Sequence, residues 1–190
     1  MLHIVLHEPE IPFNTGAIGR TCVATHTPLH MIRPYGFTLD DRYIKRAGMD
    51  YWAKLDLHEH LDYEDFLAQY PELRFADDFE TTWTQEILET PKLWFATTKG
   101  RQVYSDVRFG PNDFIMFGKE SAGIPEEILV QHPKACIRIP MWGDMRSLNL
   151  SNSVAILLYE AYRQNQFQDL TKYGNLHHLS WGAPAGAGTP

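Results

Sequence analysis

Short apolar runs recur along the chain, each closed by proline, glycine or a polar cluster. Residues 2–6 (LHIVL) are apolar nearly throughout, the pattern of a strand buried on both faces, and Glu8-Pro9-Glu10 ends it. Residues 11–16 read as a loop holding a helix start. Asn14 or Thr15 is the expected cap, and the helix is expected to run through Arg20 to about Thr25. Residues 29–32 form a second apolar run before Pro34 and Gly36. Residues 40–46 place acids before bases, which suits a short helix and its dipole. Residues 52–57 read as a third strand and residues 63–70 as a helix stopped by Pro71.

The segment 71–91 sets six acids against the single base Arg74 and reads as an acidic surface excursion, with a helical turn or two over 84–89. Residues 93–96 (LWFA) and 113–117 (DFIMF) are further strands. Residues 125–130 are a short helix with proline in its first turn.

The most informative stretch is 137–164. A strand beginning at Ile137 must stop at Pro140, which has no N–H for a ladder. A polar loop with Gly143 follows. Asn149, Ser151 and Asn152 stand just ahead of the apolar residues 154–159, where their side chains can cap a helix. That helix is apolar on more than one face. Its second face calls either for more core or for a partner subunit.

Strands alternating with helices predict an α/β fold, a mainly parallel sheet with helices on both faces. Ligands of such sheets sit at the C-terminal strand ends. Three of those ends carry glycine-containing loops: residues 97–100, 118–123 and 140–147. Glycine lets backbone approach a ligand closely. The signatures G-x-G-x-x-G, G-x-x-x-x-G-K-[ST] and G-x-S-x-G are absent. His58 with His60, and His177 with His178, lack the companions of a metal site and are expected to be surface histidines; no metal is expected.

The net charge of -7 excludes a general nucleic-acid-coating protein; RNA contact requires a local patch, for which Arg42, Lys45 and Arg46 are the candidates. Cys22 and Cys136 lie in apolar surroundings and read as small buried side chains, in keeping with a reducing compartment. No apolar run approaches the ~20 residues that span a membrane, and the N-terminus lacks a signal-peptide layout. A cytoplasmic protein is the expectation. Periodicity fades after Gln164. A domain over 1–168 and a C-terminal extension over 169–190, rich in Gly, Ala and Pro at its end, are expected.

Three motifs together carry a resemblance: EPEIPFNTG at 8–16 with Arg20 six residues after Asn14; FGKESAGIP at 117–125; and IRIP at 137–140 with SLNLSN at 147–152. With them the chain resembles the SPOUT superfamily of S-adenosylmethionine-dependent RNA methyltransferases, in its TrmH-like branch. Asp40-Asp41 and RAGMDY at 46–51 bring it nearest to the members that methylate the wobble ribose of tRNA. The resemblance covers residues 1 to about 165. The excursion at 71–91 and the tail depart from it, and Met141-Trp142-Gly143 is an unusual filling for its loop.

The resemblance implies a deep trefoil knot in the C-terminal segment, a rare exception to unknotted topology. It implies a homodimer whose RNA site uses both subunits, and a tRNA anticodon stem-loop as partner. It implies S-adenosyl-L-methionine held by Ala96, Gly118, Ile139, Ser147 and Leu148. Arg20 is implied as the catalytic residue, either as base or as stabiliser of the developing alkoxide; a guanidinium holds its proton firmly, which favours the second role. Asn14 is implied to orient Arg20 or the ribose. Glu120, Asn149, Ser151 and Asn152 are implied to shape the pocket and position substrate. Two rivals remain at this level: the same chemistry on another tRNA position or on rRNA, and an RNA-binding module without catalysis.

Overall fold

The computed structural model of the protein describes residues 1–39, 51–75 and 84–181. The helix expected over 40–46, with Arg42, Lys45 and Arg46, lies outside the described residues, as do 76–83 of the acidic excursion and the last nine residues of the extension.

Among the described residues eight strands form one sheet: β1 (His3–His7), β2 (Leu29–Ile32), β3 (Leu57–His60), β4 (Arg74–Phe75), β5 (Lys92–Ala96), β6 (Gln102–Val103), β7 (Phe114–Phe117) and β8 (Cys136–Arg138). Their order is β3-β2-β1-β7-β5-β8-β6, with β4 beside the start of β5, and every pairing is parallel. β1, β2 and β7 are buried along nearly their whole length, which is why they read as mainly apolar runs, broken only by the histidines of β1 and β2. β4 and β6 are two residues each, too short to show any period.

Five helices complete the described fold: α1 (Pro12–Thr25), α2 (Tyr63–Gln69), α3 (Gln85–Glu89), α4 (Glu126–Leu129) and α5 (Leu150–Gln164). α1 packs against α5. Their contact is pinned where Tyr162 Oη donates to the Thr25 carbonyl at 2.8 Å and meets the Thr27 hydroxyl at 2.9 Å. The stripe Val154, Leu157, Leu158 and Ala161 is buried, whereas Ile156 and Tyr159 stay exposed on the same helix.

Three expectations change. α1 begins at Pro12, not at Asn14 or Thr15; proline needs no N–H partner in the first turn, and Ile11 holds the cap position without a side-chain bond. Asn14 is thereby freed for other work. The strand expected over 52–57 is a 3-10 turn (Trp52–Lys54), and β3 starts at Leu57. There Trp52 closes on α1 so tightly that a Cβ on Gly19 would stand 3.0 Å from its ring; packing overrides its strand preference.

The third change concerns His58 and His60, which are not a surface pair. His60 is buried, and the register Val5↔His30↔His58 and His7↔Ile32↔His60 puts His3, His7, His30, His58 and His60 on one sheet face. α2 covers that face through Phe66, which packs on His30 and His60. His30 Nε2 lies 2.9 Å from His3 Nδ1, and its Nδ1 lies 3.2 Å from His60 Nε2. Burial pushes His30 down to about 2 and His3 down to about 4, and it lowers His7 and His60 as well, so these four rings favour the neutral form. No group of three or more potential ligands among the described residues is arranged to hold a metal ion. Cys22 and Cys136 are buried on α1 and β8.

Candidate active site

The site lies beyond the C-terminal ends of β1, β5, β7 and β8, where four loops meet. At Glu8 the chain leaves β1 with φ 53, a left-handed turn unusual for a side chain of this kind. The Glu8 carboxylate pairs with Lys119 Nζ at 2.8 Å, and that contact raises the lysine pKa. Glu10 accepts both the backbone N–H and the hydroxyl of Ser121, each at 2.8 Å, and these bonds lower its pKa. Residues 8–10 thus hold the 119–121 loop through one ion pair and two hydrogen bonds.

Glu120 returns the grip. One carboxylate oxygen accepts Glu10 N–H at 2.9 Å and the other accepts Asn14 Nδ2 at 2.9 Å. A carboxylate only accepts, so the amide of Asn14 must turn its NH2 to Glu120. Its oxygen then faces Asn149, whose Nδ2 donates to it at 3.0 Å. That leaves the oxygen of Asn149 for the start of α5, where it accepts Ser151 N–H at 2.9 Å and Ser151 Oγ at 2.7 Å. One directed chain of hydrogen bonds therefore runs from Glu10 through Glu120, Asn14 and Asn149 to the cap of α5. Reversing any amide would set donor against donor.

Beneath this chain is a cavity of about 560 Å³. Its walls are the loops 96–99, 117–123 and 137–150, with Phe117, Ile137, Ile139 and Leu157 as apolar floor. Ala96, Gly118, Glu120, Ile139, Ser147, Leu148, Asn149 and Asn14 all line it. Ser151, Asn152 and Arg20 do not. Ser151 is occupied with the helix cap, and Asn152 is exposed on the first turn of α5.

Arg20 also departs from expectation relative to Asn14. Six helical residues advance about 9 Å and rotate by about 240°, so the two side chains cannot share a face. Asn14 is buried in the network, while Arg20 is exposed with its guanidinium 5.7 Å from the centroid of Tyr51. Among the described residues Asn14 orients Glu120 and Asn149, not Arg20.

The glycines have distinct reasons. A Cβ on Gly118 would lie 2.0 Å from the carbonyl carbon of Gly123 and 2.1 Å from Ile124 N. The 118–124 loop folds back on itself at that point, with Gly123 N–H donating to the Lys119 carbonyl at 2.8 Å. The glycine is required first by its own loop, before any ligand. Gly123 has open space around it but a φ of +76, a conformation that glycine adopts without strain.

Glu8, Glu10, Lys119 and Ser121 stand within the quoted motifs but carry a role the sequence did not assign. The available signal was the single base Lys119 set against the acids Glu8 and Glu10. Thr97, Met141 and Arg146 also line the cavity.

Comparison with known proteins places this arrangement. The SpoU rRNA Methylase family matches residues 1–159. The tRNA (cytidine(34)-2'-O)-methyltransferase of Yersinia pestis is 44% identical over 165 residues, covering 86% of this chain and 94% of that protein. The protein of the same name from Methylovorus glucosotrophus is 42% identical over 168 residues, 88% of this chain and 97% of the relative. A solved structure described as giving insights into the 2-OH methylation of C/U34 on tRNA superimposes with a TM-score of 0.74 at 39% identity, covering 88% of this chain and 98% of the other. The matched residues contain all the cavity loops and the hydrogen-bond chain that joins them, and the chain belongs to the SpoU rRNA Methylase family.

Proposed function

We propose that this protein transfers a methyl group from S-adenosyl-L-methionine to the ribose 2'-hydroxyl of the wobble nucleotide of tRNA. The observation that carries the reading is 44% identity to an enzyme named for that reaction, over 94% of its length, with the cavity loops inside the shared region. The rest of the SPOUT architecture, including the knotted C-terminal segment, comes with this reading.

The cavity fits the cofactor. An apolar floor beside exposed loop backbone suits an adenosyl group, and a volume of about 560 Å³ is in the range of small-molecule sites. Ala96, Gly118, Ile139, Ser147 and Leu148 would hold it. Bound, it supplies an electrophilic methyl group; the protein supplies position and charge. The directed chain from Glu10 to Asn149 fixes the loops before ligand arrives, so little reorganisation remains at the moment of reaction.

The 2'-hydroxyl loses its proton as it attacks, and charge grows on its oxygen. Arg20 meets that charge and the neighbouring phosphate with its planar fork. Since Arg20 stands outside its own cavity, it serves the cavity of a partner subunit. Exposed Ile156 and Tyr159 on α5, with Phe13 on α1, are the apolar groups that such a homodimer covers. Glu120 and Asn149 act by holding the loops, and Ser151 by completing the cap.

Single-turnover methylation of an anticodon stem-loop tests the reaction, with the wobble ribose either normal or 2'-deoxy. Methyl transfer to the normal loop only is the expected result; transfer to the deoxy loop removes the assigned atom. Arg20→Ala should bind S-adenosylmethionine normally and turn over roughly a hundred- to a thousand-fold more slowly. RNA binding without any transfer in the wild type would favour the non-catalytic module. Mixed dimers of Arg20→Ala with a cofactor-site variant should regain activity, because one cavity then receives an intact partner arginine. Absence of rescue would put Arg20 to work in its own subunit.

A further inference from the structure

The loop between β8 and α5 does two things at once. Met141 and Arg146 turn into the cavity wall, but Trp142 between them is 93% exposed, the most exposed large apolar side chain among the described residues. Met145 on the same loop is 65% exposed. Holding an indole in water contributes nothing to folding, since its large apolar surface stays hydrated. The loop is nonetheless a defined turn. It starts at Pro140, passes Gly143 at φ 57 and ends on the Asn149 cap. Trp142 therefore stands beside the cavity mouth on a loop tied at both ends.

The occupant must be flat and apolar on its face, and must lie where substrate enters. A nucleobase meets both conditions, and Arg146 supplies a cation one turn of loop away for the phosphate that accompanies it. The net charge of -7 makes such local provision necessary. We propose that Trp142 is a positioning residue that stacks on a nucleobase flanking the methylated ribose, with Arg146 on the adjoining phosphate. This rests on the methyltransferase reading above and adds the residue that seats the RNA.

Stacking of one base is worth roughly 1–3 kcal/mol, which is on the order of a ten- to hundredfold change in affinity. Trp142→Ala should raise the KM for the anticodon stem-loop by that factor, with kcat at saturation and S-adenosylmethionine affinity unchanged. Trp142→Phe should recover most of the loss, as a ring replaces a ring. Stem-loops made abasic on either side of the target nucleotide identify the stacked base: at one position the abasic change weakens the wild type but not Trp142→Ala. Binding is also read directly, as tryptophan fluorescence quenched by stem-loop in the wild type and less so in Trp142→Phe.

An unchanged KM in Trp142→Ala overturns the proposal. So does loss of the dimer in that variant, which would make Trp142 a subunit contact. Wild-type protein that shows the quenching without methyl transfer keeps the stacking and overturns the reaction. Wild-type protein that neither binds nor methylates the stem-loop overturns both.

Discussion

Two polar networks sit at opposite ends of the same sheet. At the N-terminal end, Lys92 and Asp113 are both fully buried and pair at 3.0 Å. The Asp113 carboxylate also accepts Trp94 Nε1 at 2.8 Å, Gly110 N–H at 2.9 Å and Lys92 N–H at 3.1 Å. Lys92 Nζ spends its other donors on the carbonyls of Ile87 and Thr90. Beyond the C-terminal end, Glu120, Asn14 and Asn149 form a network just as directed, but it roofs a cavity. The sealed network fastens α3 and the 107–113 turn to the strand starts and touches no open space. The open network fastens four loops and leaves a ligand-sized gap beneath them. The same hydrogen-bond chemistry thus supports the fold at one end and preorganises a site at the other.

The sharpest way to break this contrast is Asp113→Ala. It strands a buried ammonium, and removing one partner of a buried pair costs about 3–5 kcal/mol. Urea unfolding should show that loss, while cofactor affinity per folded molecule stays unchanged. Weakened cofactor binding in the folded fraction would mean the two ends are coupled.

Gly118→Val comes next. Its Cβ would overlap the Gly123–Ile124 backbone, so the loop must open. Calorimetry should find S-adenosylmethionine binding abolished and the melting temperature lowered. Gly123→Ala, facing open space at φ +76, should cost only about 1 kcal/mol of local strain and retain binding. Equal damage from both would remove the distinction between steric and conformational need.

Glu120→Gln is subtler. An amide offers one acceptor where Glu10 N–H and Asn14 Nδ2 require two, so a donor faces a donor or the chain of amides reverses. A loss of roughly 1–3 kcal/mol is expected in cofactor binding, with stability less affected than by Asp113→Ala. The reverse ranking would make Glu120 a fold residue.

The histidine layer gives the mildest test. His30 and His3 have folded pKa values lowered to about 2 and about 4, below the usual 6.5. Below pH 6.5 the unfolded chain gains protons that the folded one refuses, so their contribution falls as pH drops, by roughly 1 kcal/mol per histidine at one unit below. Between pH 6.5 and 4 the unfolding free energy of His30→Leu should fall less steeply than that of wild type. Parallel slopes would mean that His30 accepts a proton in the fold.

Much of the site was legible in the sequence because it is local. Three strand ends carried glycine-containing loops, and those loops form the cavity. Asn149 could be read as a cap because capping acts over a few residues. The strand cores could be read because burial on both faces leaves few polar positions, the histidines of β1 and β2 being the exceptions.

What the sequence determined by itself was therefore what depends on neighbours along the chain: strand and helix identity, the parallel α/β architecture, and which loops gather at one sheet end. The tertiary structure decided the rest. Asn14 faces Glu120 and Asn149, 106 and 135 residues away, and no period encodes a partner at that separation. Gly118 is needed against its own loop, which shows only once the loop folds back. His60 looked like a surface residue until β3 was set beside β2, because a polar side chain is hidden by register and a covering helix. Arg20 stood outside its own cavity because a helix turns about 100° per residue, and that rotation separates its side chain from Asn14 on the very element that both share.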